Sequence, residues 1–399
     1  MSSRDIHVVV VGISTAGVKI SKALAALGKA DYPNLHITMV DKNAYYFHAI
    51  GAPLAIVNPA YGKSILFPLK DLLQSYETDP QTPKHKFIHA SLASVDKTSV
   101  VLSNGETLSF DYLVLATGAA NKTPANIFES SVEKAQAQLY KVYENIKSAT
   151  NILIIGGGAV GVEMAGEIAS AYPGKPITLV HSADRLLPLH FKRGISNGAV
   201  YKLEKLGVKV VLNEKIDIPK DTMFDCTVRK LSFRGSSGAV YESDLQILAT
   251  GTQLHTEYME TLESKYGATL REPNGAIKVM STLQLADDRF QNIFVPGDVN
   301  NQPAGAKYAF IAAEQGQLVA DNLITMIKGG FDKDKPVFKV ALKEWSGKLM
   351  ESIVVPIGRS MGVAQIFGIA MGKSAFPDIL VRNVKSKDYF RSHAATSFS

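Results

Sequence analysis

Val8-Val9-Val10-Val11-Gly12-Ile13-Ser14-Thr15-Ala16-Gly17 and Ile152-Leu153-Ile154-Ile155-Gly156-Gly157-Gly158-Ala159-Val160-Gly161 decide the fold. Each is an unbroken apolar run that gives way to glycine, the pattern of a buried parallel strand turning into a helix. In such a turn, backbone N–H groups and the positive end of the helix dipole converge on one point, where they bind a pyrophosphate. The two copies start 144 residues apart, so one chain is expected to carry two dinucleotide sites.

Outward from the first turn, the residues predict a strand over 7–11, a helix over about 17–27 and a second strand over 35–40 that ends in Asp41. Asp41 lies 29 residues beyond Gly12, where an acid accepts the hydroxyls of an adenosine ribose; a solvated strand-end acid is the plainer reading. Further strands are expected at 87–90, 99–102 and 112–116, with Asn104-Gly105 as a hairpin turn. The last of them runs into Ala116-Thr117-Gly118.

The second unit repeats this plan. A helix over 132–148 leads into it, Ile177-Thr178-Leu179-Val180 supplies its next strand, and a strand over 245–248 runs into Ala249-Thr250-Gly251. Two glycine turns, each closed by its own Ala-Thr-Gly, amount to a duplicated domain. After it, Ile293-Phe294-Val295-Pro296-Gly297-Asp298 and a helix over 308–327 are expected to complete the first domain. The fold class is therefore α/β: two Rossmann-like dinucleotide-binding domains in tandem, residues 1–120 with 270–335 and residues 121–269. A small C-terminal α+β element follows over 336–399.

Composition limits the alternatives. With 46% apolar and 20% charged residues this is a globular chain, and no uncharged apolar run reaches the ~18 residues of a membrane span. From residues 1–5, neither a signal peptide nor, with serine at position 2, N-myristoylation is expected. A cytoplasmic protein, free or peripheral on a membrane or lipid surface, is expected. The single cysteine, Cys226, can build neither a disulfide nor a Cys-x-x-Cys redox pair. A net charge of +6 and a pI near 9.0 come from dispersed Lys and Arg, so anionic cofactors fit better than nucleic acid, which is not an expected partner. No metal-ligand spacing occurs among the nine histidines.

Gly156, Gly158 and Gly161 complete G-x-G-x-x-G, with Gly157 and Val160 between them. The first turn has Ser14 at the middle position, between Gly12 and Gly17, with Thr15 and Ala16 beside it. Serine is small, and its hydroxyl can itself bond a phosphate oxygen. At the end of the second unit's second strand stands His181, followed by Ser182 and Arg185, where an NAD-selective site places an acid. Nothing there repels a 2′-phosphate, so either NADH or NADPH is expected. Glu163 and Glu167 read as acids at the start of a helix, favoured by its dipole, or, for Glu163, as a group facing a cofactor ring. Asp298 reads as a ligand for a flavin ribityl chain or as a helix N-cap.

Taken together, Gly12–Gly17 with Asp41, Asp111 to Gly118, Gly156 to Glu163, Gly251 and Gly297-Asp298 resemble the flavoprotein oxidoreductases built from two dinucleotide domains. Gly161-Val162-Glu163-Met164-Ala165-Gly166-Glu167-Ile168 and the tail Lys385-Ser386-Lys387-Asp388-Tyr389-Phe390 are similar to the ferroptosis-suppressor branch of the apoptosis-inducing-factor-like proteins. Ala312-Ala313-Glu314-Gln315-Gly316 is more distantly similar to the quinone-side helix of type II NADH dehydrogenases.

The resemblance implies that Gly12, Ser14, Thr15, Ala16, Gly17, Asp41, Leu92, Thr117, Gly118, Gly297 and Asp298 bind FAD. It implies that Gly156, Gly157, Gly158, Val160, Gly161, Glu163, His181 and Gly251 serve NADH or NADPH. Hydride would pass to the flavin and two electrons onward to a hydrophobic, ubiquinone-like quinone, with Glu163 and Lys385 as the catalytic pair. Lys385 also reads as an ordinary solvated lysine. The apolar stretch 361–372 and the basic residues after it would offer a peripheral membrane contact, and the protein would be a monomer or homodimer. The rival expectation is a flavoprotein signalling or structural protein in which NAD(P)H binding switches conformation with little turnover.

Overall fold

The computed structural model describes residues 4–79, 81, 83–302, 307–330, 341–347, 352–374 and 376–398. Met1, Ser2 and Ser3, the boundary expected at 335–336, and parts of the segment after it lie outside the described residues. The predicted apolar runs are central strands. Ile6–Val11 pairs in parallel with Leu35–Asp41 on one side and Tyr112–Leu115 on the other, within a five-stranded sheet completed by His85–His89 and Ile293–Phe294. Val8 to Val11 are all buried, as a strand covered on both faces requires.

The second unit is a four-stranded parallel sheet of Val208–Val211, Ile177–Val180, Ile152–Ile155 and Leu245–Leu248, in that order. Between the two sheets the chain crosses at two places that hold each other: Ala120 and Gln253 exchange backbone hydrogen bonds of 2.8 Å in both directions. Both lie just past an Ala-Thr-Gly, so the duplicated closures bring the crossovers together.

Beyond them, Ile353–Ile357, Met361–Ile366 and Ile369–Met371 form an antiparallel sheet. It is followed by the helix Phe376–Val381, a π-helical turn Arg382–Ser386 and the short helix Arg391–Thr396. The sheet sits hard against the second unit's helix Ala159–Ala171 because Gly166 has no side chain. A Cβ there would lie 2.6 Å from the Gly358 nitrogen and 2.8 Å from Ile357. That close approach brings the C-terminal segment onto the helix of the second glycine turn.

Candidate active site

The glycines of the two fingerprints do different jobs. Gly12 and Gly156 adopt φ of +90° and +117°, and a Cβ on either would strike the carbonyl of Ala116 or Ala249. Gly17 and Gly161 face the carbonyls of Gly12 and Gly156 at 2.0 and 1.9 Å from an ideal Cβ, so they set the spacing of helix and strand. Gly158 is the opposite case: a Cβ would meet nothing within 4 Å, which leaves its backbone open to a phosphate. Ser14 holds the equivalent place in the first turn as the N-cap of Thr15–Ala30, at φ −104° and ψ −154°. Any residue adopts that extended backbone, and the exposed hydroxyl makes no capping bond. The departure from glycine at Ser14 is thus accommodated without strain.

A flavin dinucleotide fits the groups around the first turn. Asp41 accepts from the Ile13 N–H through Oδ2 at 2.7 Å and from the Asn43 N–H through Oδ1 at 2.8 Å, which leaves each oxygen a lone pair for a ribose hydroxyl. Burial raises its carboxyl above the usual range. The Asp298 carboxyl is also raised by burial, with Lys307 opposing, and among the described residues it has no hydrogen-bond partner, as expected of a group reserved for a ligand. It is not a helix cap, because that place belongs to Tyr308. Gly118 opens onto free space at φ +67°. Thr117 bonds the Tyr258 hydroxyl at 2.7 Å, and Leu92 lies half-buried in the strand Leu92–Val95.

Three residues missed by sequence reasoning shape this site. Gln315, fully buried, accepts from the Gly297 N–H at 2.7 Å and from Asn300 at 2.9 Å, and donates to the Gln302 carbonyl at 2.8 Å. It fixes the loop that carries Asp298. The Tyr46 hydroxyl meets His48 Nδ1 at 3.4 Å, and burial raises its phenol, with Thr15 opposing. Tyr258 orients Thr117 across the domain crossover. Gln315 stood in a stretch similar to a quinone-side helix, and its side chain faces the Gly297 loop; nothing in the sequence singled out Tyr258.

At the second turn, Gly251 opens onto free space at φ +71° and Val160 is part-exposed at the mouth of the helix. His181 departs from the expectation of a side chain that reaches outward. Its Nδ1 accepts the Gly157 N–H at 3.1 Å, which folds the ring back over the turn with its proton on Nε2, and burial lowers its pKa. A neutral ring offers a 2′-phosphate one N–H and no charge. Glu214, on the next strand's exit, has its carboxylate engaged by Ser236 and Ser237.

Glu163 and Glu167 do not start their helix. They lie in its second and third turns, buried, so the helix dipole does not explain them; partners from the C-terminal segment do. Lys385 Nζ donates to Glu163 Oε1 at 2.6 Å, with side-chain exposures of 13% and 5%, which rules out a solvated surface lysine. Tyr389, in the turn beyond the π-helical segment, donates its hydroxyl to Glu167 Oε1 at 2.8 Å. Glu163 and Glu167, which share a face of their helix, are thus each met by a residue of the C-terminal segment. Burial pushes both carboxyls up, Glu163 against the pull of Lys385 and Glu167 to about 7. His48 Nε2 meets the Tyr389 carbonyl at 2.7 Å, and its own pKa is lowered by burial. Cys226 is buried, its thiol pushed up by that burial, and takes no part.

Two dinucleotide folds joined by a double crossover, with a fitted flavin site and no cysteine pair, define a flavin-linked oxidoreductase that works without a dithiol. Residues 6–316 match the pyridine nucleotide-disulphide oxidoreductase family, and the chain belongs to it. It is an FAD-dependent NAD(P)H oxidoreductase. Among curated relatives, apoptosis-inducing factor homolog A of Dictyostelium discoideum is 30% identical over 349 residues, 82% of this chain and 79% of that protein. Human ferroptosis suppressor protein 1 is 26% identical over 396 residues, 98% of this chain and 95% of that one. The resemblance read from the Glu163 helix and the Lys385 tail is borne out. Among solved structures, the sulfide:quinone oxidoreductase of Aquifex aeolicus shares the fold with a TM-score of 0.68 and 18% identity, over 98% of this chain and 92% of that one.

Proposed function

We propose that the enzyme passes the electrons of NADH or NADPH to a hydrophobic quinone, with Glu163 and Lys385 as its catalytic pair. The observation that carries this reading is the buried Lys385–Glu163 contact of 2.6 Å, built from the nucleotide unit and the C-terminal segment together. FAD, when bound, supplies the two-electron chemistry between donor and acceptor. A quinone carbonyl that gains electrons develops negative charge, and a fixed ammonium in a dry site stabilises it better than water does. Glu163 holds Lys385 in place. Glu167, with a pKa of about 7 and in contact with the Tyr389 hydroxyl, is suited to give and regain a proton near neutral pH.

The same reading gives residues 1–120 and 270–335 to FAD, residues 121–269 to NAD(P)H and the segment after 336 to the acceptor. Among the described residues no helix is long and apolar enough to cross a membrane. A quinone can still be met at a lipid surface. Phe367 at the tip of the C-terminal hairpin is 86% exposed, and Ile369, Phe376 and Ile379 are exposed near it in sequence, interspersed with Lys373, Arg382 and Lys387. Apolar side chains with basic neighbours suit an anionic lipid interface. That a structural neighbour is named a sulfide:quinone oxidoreductase agrees with a quinone acceptor.

The test is spectroscopic. Under anaerobic conditions NADH and NADPH should each bleach the bound flavin, and a short-chain ubiquinone should restore its colour. Bleaching without restoration would instead support a flavoprotein that senses NAD(P)H without turning over a quinone.

A further inference from the structure

The last residues of the chain return to the first glycine turn. Asp388 and Tyr389 are anchored firmly: the Tyr61 hydroxyl donates to the Asp388 carbonyl at 2.7 Å, His48 meets the Tyr389 carbonyl, and the buried Tyr389 ring reaches Glu167. Beyond them the chain bends through Tyr389 and Phe390 at φ of +49° and +61°, two consecutive non-glycine residues in the left-handed region. The helix Arg391–Thr396 that follows buries none of its residues, and six residues are too few to hold a helix by themselves.

Arg391 donates to the Ser64 carbonyl at 3.1 Å at the near end of this piece; further contacts to the body lie at its far end. Phe398 stacks on Phe67 with ring centres 4.8 Å apart and on Tyr46 at 5.2 Å, with interplanar angles of 19° and 25°. Tyr46 and Phe67 are cross-strand partners in the ribbon Tyr45–Phe47 with Leu66–Pro68. Lys22, on the helix of the first glycine turn, donates to the Ser397 carbonyl at 3.0 Å. Residues 397 and 398 thus bridge that ribbon and the helix Thr15–Ala30, whose N-terminus is the first glycine turn.

We propose that residues 391–398 form a latch over the flavin site with Phe398 as its catch. Closed, the latch ties the Tyr46–Phe67 ribbon to the helix that starts at the first glycine turn and retains FAD; swung out about the Tyr389–Phe390 bend, it lets FAD exchange. The firm anchor next to a weakly held end is what local opening requires. The proposal concerns FAD retention and is independent of which acceptor the enzyme uses.

The holoenzyme, freed of excess FAD and diluted, reports flavin loss as a rise in free FAD fluorescence. Phe398→Ala should release FAD about three- to tenfold faster, the effect of losing aromatic stacking, and Phe398→Tyr should restore the slow rate. Lys22→Met, which removes only the donor to Ser397, should accelerate release about two- to fivefold and serves should Phe398→Ala fail to fold. Release from Phe398→Ala or Lys22→Met at the wild-type rate would overturn the latch, and so would a Phe398→Tyr variant as fast as Phe398→Ala.

Discussion

Lys385 and Glu163 stand 222 residues apart in the chain and form one buried unit, so each governs the state of the other. Removing the ammonium strands a carboxylate in a dry site, which costs about 3–5 kcal/mol when such a pair is broken on one side. Lys385→Met should therefore lower the urea midpoint of unfolding, whereas Lys385→Met with Glu163→Gln should recover most of it. Quinone turnover should stay depressed at least about tenfold in both variants, the loss of one charge-stabilising group. Recovery of turnover along with stability would show that the pair is structural only. Glu167 makes a pH prediction. Its pKa of about 7 in the fold exceeds that of the unfolded chain, so between pH ~4.5 and 7 the native state holds a proton that the unfolded state has released. Its contribution to stability falls as pH rises through that window and levels off above, by about 3 kcal/mol in all. Glu167→Gln, which keeps an acceptor for Tyr389, should be more stable than wild type at pH 8 and indistinguishable from it at pH ~4 in thermal melts.

Among the elements, the two strand-turn-helix units were the most legible, because apolar runs and glycines act locally. Val8 to Val11 and Ile152 to Ile155 announced buried parallel strands, and the two Ala-Thr-Gly segments announced their closure. The glycines also separate packing from binding. Gly161→Ala, with its Cβ 1.9 Å from a carbonyl oxygen, should destabilise the second unit strongly. Gly158→Ala has free space and should leave the melting temperature within about 1 °C, consistent with a near-neutral change of a few tenths of a kcal/mol, while raising the KM for NADH and NADPH alike. Equal losses of stability in the two variants would refute that division. What could not be read was orientation. Nothing local in Val180-His181-Ser182 reveals that the ring would turn back to accept the Gly157 N–H. Gln315 and Tyr258 likewise act through partners distant in sequence. The Glu163–Lys385 contact was reachable only through resemblance, since spacing carries no information across such a separation.

At the scale of the whole molecule, the C-terminal segment joins what the duplicated domains leave separate. Gly166 lets its sheet press onto the nucleotide-unit helix, Lys385 and Tyr389 reach the two glutamates of that helix, and Phe398 packs against Tyr46 and Phe67 of the first unit. One segment thus touches both nucleotide units, and under the proposed function electron entry, storage and exit would meet along it. The most direct test of that path is anaerobic stopped-flow mixing of NADH-reduced enzyme with a short-chain ubiquinone, monitored by flavin absorbance. Rapid reoxidation in the wild type, slowed at least about tenfold in Lys385→Met, is the predicted result; a flavin that stays reduced in the wild type would contradict it.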